Sequence, residues 1–106
     1  MNWPSTADGD VFRRLESAGF DFTKPWKIDF EVDFESWPPS PEAVDILTSH
    51  FPSIQLIEPD SGSIGYAHLE LNDFLTYEFV IAVQAKISLL VADHGGKCEA
   101  WGVLHG

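Results

Sequence analysis

Residues Lys27 to Glu35 allow only one backbone geometry. Ile28, Phe30, Val32 and Phe34 alternate strictly with Asp29, Glu31, Asp33 and Glu35. Successive side chains of a strand leave on opposite faces, so this period sends four apolar groups one way and four carboxylates the other. A helical period would scatter both sets around the cylinder and bury neither. Asp and Glu are depleted in strands, and it is the unbroken apolar set that decides for a half-buried strand. A slip of one residue would drive every carboxylate into the core, so the register is tightly specified. The chain must therefore contain a sheet with one covered face and one acidic face.

The rest of the charge follows the same segment. Between Ile28 and Ala85 lie eleven acids, Asp29, Glu31, Asp33, Glu35, Glu42, Asp45, Glu58, Asp60, Glu70, Asp73 and Glu78, and no base. They equal the whole net charge of −11, because the six acids outside this stretch are balanced by Arg13, Arg14, Lys24, Lys27, Lys86 and Lys97. A duplex or RNA reader needs a basic stripe to displace counterions from phosphates. This chain has none, so neither direct nucleic-acid binding nor an anionic membrane surface is expected. Such a surface either solubilises the protein or receives a basic partner.

With 106 residues, 44% of them hydrophobic, the chain holds one core. Residues 1–7 read as a loose N-terminus and 8–106 as a single domain. Asp8, Gly9 and Asp10 offer N-caps for a helix over 8–18 in which Val11, Phe12, Leu15 and Ala18 recur at helical spacing and which stops at Gly19. After the strand, Ser40 and Pro41 start a second helix, which Pro52 ends. A short strand over 53–58, the turn Pro59-Asp60-Ser61-Gly62 and a strand over 64–71 form a hairpin. A third helix runs from about Thr76 to His94, with Phe79, Val83, Ile87 and Leu90 on one stripe and Val80 and Val91 beside it. A last strand, 97–103, places Cys98 and Ala100 on one face and Trp101 on the other. The order α, β, α, β, β, α, β predicts an α+β fold: a ferredoxin-like βαββαβ sandwich with an extra N-terminal helix and a four-stranded antiparallel sheet.

Two runs of sequence point to a known family. Asp8-Gly9-Asp10-Val11-Phe12-Arg13-Arg14-Leu15-Glu16, Gly19-Phe20-Asp21, Lys24-Pro25 and the strand to Phe34 resemble the opening of the regulator of ribonuclease activity B family. His94-Gly95-Gly96-Lys97-Cys98-Glu99-Ala100-Trp101-Gly102 is similar to its end. The resemblance implies a ferredoxin-like α+β domain. It also implies a regulator that binds the endoribonuclease organising the bacterial RNA degradosome and inhibits it by contact, with no catalytic residues to carry over.

The chemistry-bearing residues agree with a binder better than with an enzyme. Asp29 and Glu31 have Cα atoms about 6.5–7 Å apart on one strand face, within the range of paired glycosidase carboxylates. An acid/base pair, however, needs one carboxyl shielded from water. Four acids on an open face attract at most weakly held cations, and no calcium-loop pattern is present. His50, His68, His94 and His105 match no zinc spacing. Ser61-Gly62-Ser63-Ile64-Gly65 lacks nucleophile-elbow spacing and any phosphate-loop Lys. No metal site and no cofactor is expected. The one thiol, Cys98, reads as a buried small hydrophobe and fits a reducing compartment. The first residues lack a basic-then-apolar leader, so the expectation is a cytoplasmic protein.

The expected site is the outer sheet face, with Asp29, Glu31, Asp33, Glu35, His68 and Glu70 meeting a basic region of a protein partner, for which the resemblance suggests an endoribonuclease. Tyr66 and Trp101 would be its aromatic anchors unless the first helix folds over them. Opposed carboxylate stripes would repel, so no dimer through this face, and a monomer, is expected. The alternative is a small ligand-binding or hydrolytic ferredoxin-like enzyme with a cleft between sheet and helices.

Overall fold

The computed structural model describes residues 3–60 and 64–103. Its elements are α1 (Ala7–Ser17), β1 (Pro25–Phe34), α2 (Pro41–His50), β2 (Gln55–Ile57), β3 (Tyr66–Phe74), α3 (Tyr77–Val91) with a 3₁₀ turn at Ala92–His94, and β4 (Gly96–Val103). The four strands form one antiparallel sheet in the order β2-β3-β1-β4. β1 and β2 therefore run in one sense with β3 between them, and β3 and β4 run in the other with β1 between them. These are two interleaved β-α-β units joined through α2 and α3. The α+β class is as expected, and the order is consistent with the ferredoxin-like arrangement.

Side-chain caps set the helix starts. Ser40 Oγ accepts from the Ala43 amide at 3.2 Å, with Pro41 at the first helical position. Thr76 Oγ1 accepts from the Phe79 amide at 3.1 Å. α1 is capped by Thr6, whose Oγ1 accepts from the Gly9 amide at 3.0 Å, rather than by the residues from Asp8 to Asp10. Gly9 lies inside α1 because a Cβ there would stand 1.9 Å from the Pro4 carbonyl oxygen. Gly95 carries the chain out of the 3₁₀ turn at φ 72°, the left-handed region where a side chain is strained.

β1 is the middle of the core. Ile28, Phe30 and Val32 are fully buried, against Ala67 and Leu69 of β3 and against Val80, Ile87 and Val91 of α3. Phe34, at the strand end, is only half-buried. All three helices belong to the covered side of the sheet. α1 reaches it through Phe12, whose ring lies 5.9 Å from Tyr77 and 5.4 Å from Trp101. Trp3 packs on the same ring at 4.6 Å, and Thr6 Oγ1 lies 3.2 Å from the Tyr77 hydroxyl, so both residues, from the stretch read as a loose terminus, meet this cluster.

Two sequence expectations need correction. The buried stripe of α3 is Val80, Gln84, Ile87 and Val91, with Phe79, Val83 and Leu90 on its flanks. The helix is apolar nearly all round, so its period alone did not fix which side turns in. The second correction concerns Trp101. Glu31 pairs with Ala100, but Val32 pairs with Cys98, so Glu99 is an extra residue in a β-bulge. The bulge inverts the alternation. Cys98 and Trp101 both face the helices, and Ala100, expected beside Cys98, shares the outer face with Glu31. The turn residues Ser61–Ser63 and His105 lie outside the described residues.

β4 is an edge strand, and its exposed backbone is managed. Ser88 Oγ of α3 accepts from the Cys98 amide at 3.0 Å and lies 3.5 Å from the Cys98 carbonyl oxygen. That clasp and the bulge break the row of free backbone groups that could otherwise template another strand.

An acidic sheet face as the candidate functional site

The register assembles the outer face row by row. Asp29 stands between Glu70 of β3 and Gly102 of β4. Glu31 stands between His68 and Ala100, and Asp33 between Tyr66 and Lys97. Outside β3, Gln55 is opposite His68 and Ile57 opposite Tyr66. Asp29, Glu31 and Asp33 are half-buried by these neighbours. Glu35 lies just beyond the strand, exposed, with its amide donating to the Gly95 carbonyl at 2.8 Å. Of the eight residues expected at the site, the register brings six together on this face, leaves Glu35 beyond the strand end against Gly95, and removes one.

The removed residue is Trp101. It pairs with Phe30 on the covered side, and its Nε1 donates to Asp8 Oδ1 at 2.8 Å. α1 does not cover the outer face; it covers Trp101 because Trp101 is on the other face.

The charge arrangement is one that folding alone does not favour. Asp29 and Glu70 are directly opposed across β1 and β3, and a like-charge pair in that position is destabilising by up to about 1 kcal/mol. Lys27 Nζ, 3.4 Å from Glu70 Oε2, offsets part of this. His68 Nε2 is 3.6 Å from Glu70 Oε1, too long for a hydrogen bond, and is itself buried without a hydrogen-bond partner among the described residues. Lys27, Asp29, His68 and Glu70 surround a notch of about 130 Å³. Beside it, Lys27, Ser53, Gln55, His68, Glu70 and Asn72 line a shallow groove of about 290 Å³. The sequence reading missed Lys97 and Gln55 as members of this face, since cross-strand register alone puts them there, and passed over Lys27, which the period of β1 already places beside Asp29.

A larger concavity lies elsewhere. About 520 Å³ is enclosed by Trp3, Pro4, Phe22, Leu75, Thr76, Tyr77 and Glu78. It gathers one carboxylate and one phenol among apolar walls, with no thiol or imidazole. Cys98 lies in the core, where burial pushes its thiol up to about 12 and keeps it protonated. Among the described residues, no three His, Cys, Asp or Glu side chains are placed to hold a metal ion. No helix of the described residues is long and apolar enough to cross a membrane.

A comparison with protein families places these observations. The family described as regulator of ribonuclease activity B, RraB, matches residues 5–103. The chain belongs to this family. No curated protein and no solved structure matches it. Its family is one of ribonuclease regulators rather than of enzymes, and implies interaction with a ribonuclease-related partner.

The structure also explains why the two RraB-like sequence runs occur together. Asp8 of the opening accepts the indole N–H of Trp101 at the end. His94 Nδ1 lies 3.2 Å from Ser40 Oγ, the cap of α2. A Cβ on Gly96 would stand 2.7 Å from both Phe34 and Val91 side chains, and one on Gly102 would stand 3.2 Å from Asp29 Oδ1. These signature residues close the fold around β1. Gly102 meets the acidic face, where it leaves room for the Asp29 carboxylate.

Proposed function

We propose that this RraB-family protein is a non-catalytic regulator that inhibits a ribonuclease by laying its acidic sheet face on a basic region of that enzyme. One observation carries the reading: all three helices pack on one side of the sheet, so the row Asp29, Glu31 and Asp33, with Tyr66, His68 and Glu70 beside it, is left uncovered. A ribonuclease holds RNA with Lys and Arg. A surface that offers carboxylates at strand spacing competes for those groups and accelerates encounter through its field. Tyr66, half-buried at one end of the row, supplies apolar contact once charge has brought the surfaces together. The opposed Asp29 and Glu70 favour the same reading, because an incoming cation relieves their repulsion. The alternative of a small hydrolase has less support, since the concavity of about 520 Å³ beside Trp3 and Tyr77 gathers no set of convergent catalytic groups.

The experiment is binding of a ribonuclease partner to the wild type and to the Glu31→Gln/Asp33→Asn double variant, at two ionic strengths. The variant should fold normally, associate more slowly and show a flatter salt dependence. Identical association rates at both salts would reduce the acidic face to solvation.

A further inference from the structure

The outward side of α3 is the opposite of the sheet face. Glu78, Ile81, Ala82, Ala85, Lys86 and Leu89 are its exposed residues, and Leu89 is 81% exposed. Neighbouring elements occupy the two flanks: Phe12 of α1 meets Tyr77, and the Lys86 ammonium lies 5.7 Å from the Phe51 ring that follows α2. Neither covers the stripe between them. Glu78, Ala82, Ala85 and Leu89 follow one another at i, i+4, i+7 and i+11, the spacing of a coiled-coil seam. From Phe79 to Ala92 there is no acid at all, although the chain carries −11. Ile81, Ala82, Ala85 and Leu89 thus leave an apolar strip exposed between Glu78 and Lys86, and such a strip marks an interaction site unless something buries it.

We propose that α3 is a seam through which two copies of this chain pair antiparallel, about a two-fold axis between Ala82 and Ala85. The stripe is self-complementary in that arrangement and in no parallel one. Ala82 faces the partner's Ala85, so the backbones approach closely at the axis. Leu89 of each copy packs over the first turn of the other helix. Glu78 then lies three residues, about 4.5 Å along the axis, from the level of Lys86 in the other copy. The two-fold repeats this acid–base pairing at both ends, while parallel helices would align Glu78 with Glu78. A second copy is also the occupant that the charge distribution permits. Pairing through α3 stacks sheet, helices, helices, sheet, and the two acidic faces point away from each other. This surface is distinct from the sheet face, whose opposed carboxylates resist self-association. It leaves the sheet free for a different partner.

The test is sedimentation equilibrium of the full chain between about 10 and 500 µM, a range suited to a seam smaller than a standard interface. The wild type should show a monomer–dimer equilibrium that tightens as salt screens the net charge. Leu89→Glu, at a position already exposed, should keep the circular dichroism spectrum and weaken dimerisation at least about tenfold. Glu78→Lys alone should weaken it, and adding Lys86→Glu should restore it, because the swapped pair meets again across the axis. A wild type that stays monomeric throughout, a dimer that survives Leu89→Glu, or a double swap no tighter than the single variant would each overturn the proposal.

Discussion

Replacing Trp101 with Ala separates two pictures of this residue by its effect on stability. As an anchor on an open sheet face, its loss would leave folding within about 0.5 kcal/mol. The structure instead places the indole on the covered side, 5.4 Å from the Phe12 ring and opposite Phe30, with its N–H bonded to Asp8 at 2.8 Å. Truncating a buried Trp costs about 3–5 kcal/mol. Trp101 is half-buried, so the lower end applies to its packing. A hydrogen bond to a charged acceptor contributes about 1.5–3 kcal/mol when buried. Asp8 also meets water, which reduces that share to about 1 kcal/mol. We expect a total of about 4 kcal/mol, a fall in Tm of at least about 16 °C for a domain of this size. Trp101→Phe keeps the ring contact and should lose only the hydrogen-bond share. The assay is urea unfolding followed by far-ultraviolet circular dichroism for the single variants and for Asp8→Ala. Coupling of about 1 kcal/mol between Asp8→Ala and Trp101→Phe is the expected signature of the bond. A Trp101→Ala variant as stable as wild type would refute the bulge and the register of β4.

Other expectations rest on the same packing. Phe30→Ala, at a fully buried position of the central strand, should cost about 3–5 kcal/mol, a large part of a typical domain's stability, measured by the same unfolding curves. Gly65→Ala should destabilise strongly, because its Cβ would stand 2.4 Å from the Trp37 ring; a Trp37→Ala background should recover most of the loss. Cys98 should resist alkylation in the native state at pH 8 and react only on unfolding, since burial raises its thiol to about 12. Its linkage has a definite sign. The unfolded thiol ionises near 9 and the folded one does not, so this contribution is intact below pH 9 and is lost as pH rises from 9 to about 12. Cys98→Ala should lack that loss.

What could be read from the sequence was whatever local chemistry dictates. The alternation from Ile28 to Glu35 gave the central strand and its two faces, and Ser40, Thr76, Gly19 and Gly95 marked helix ends by side-chain caps or left-handed backbone. Six of the eight candidate residues shared one face by that period and its extension across β3, while Glu35 falls beyond the end of β1. Trp101 did not, because one extra residue in β4 inverts every face beyond it, and a bulge arises from pairing rather than from composition. The inward side of α3 was hidden for a related reason. Ile81 and Leu89 are as apolar as Val80 and Ile87, so hydropathy shows no contrast, and only packing against β1 and β4 selects the stripe. The contact between Asp8 and Trp101 spans 93 positions and has no local signature.

The central claim is that the open acidic face recognises a ribonuclease. The most direct measurement is the association rate of this chain with a ribonuclease partner, taken for wild type and for Glu31→Gln/Asp33→Asn at about 0.05 and 0.5 M salt, spanning Debye lengths from well above 10 Å to below 8 Å. The account predicts a wild-type rate that falls steeply with salt, and a folded variant that starts slower and falls less. A folded variant whose rates match the wild type at both salts would contradict it.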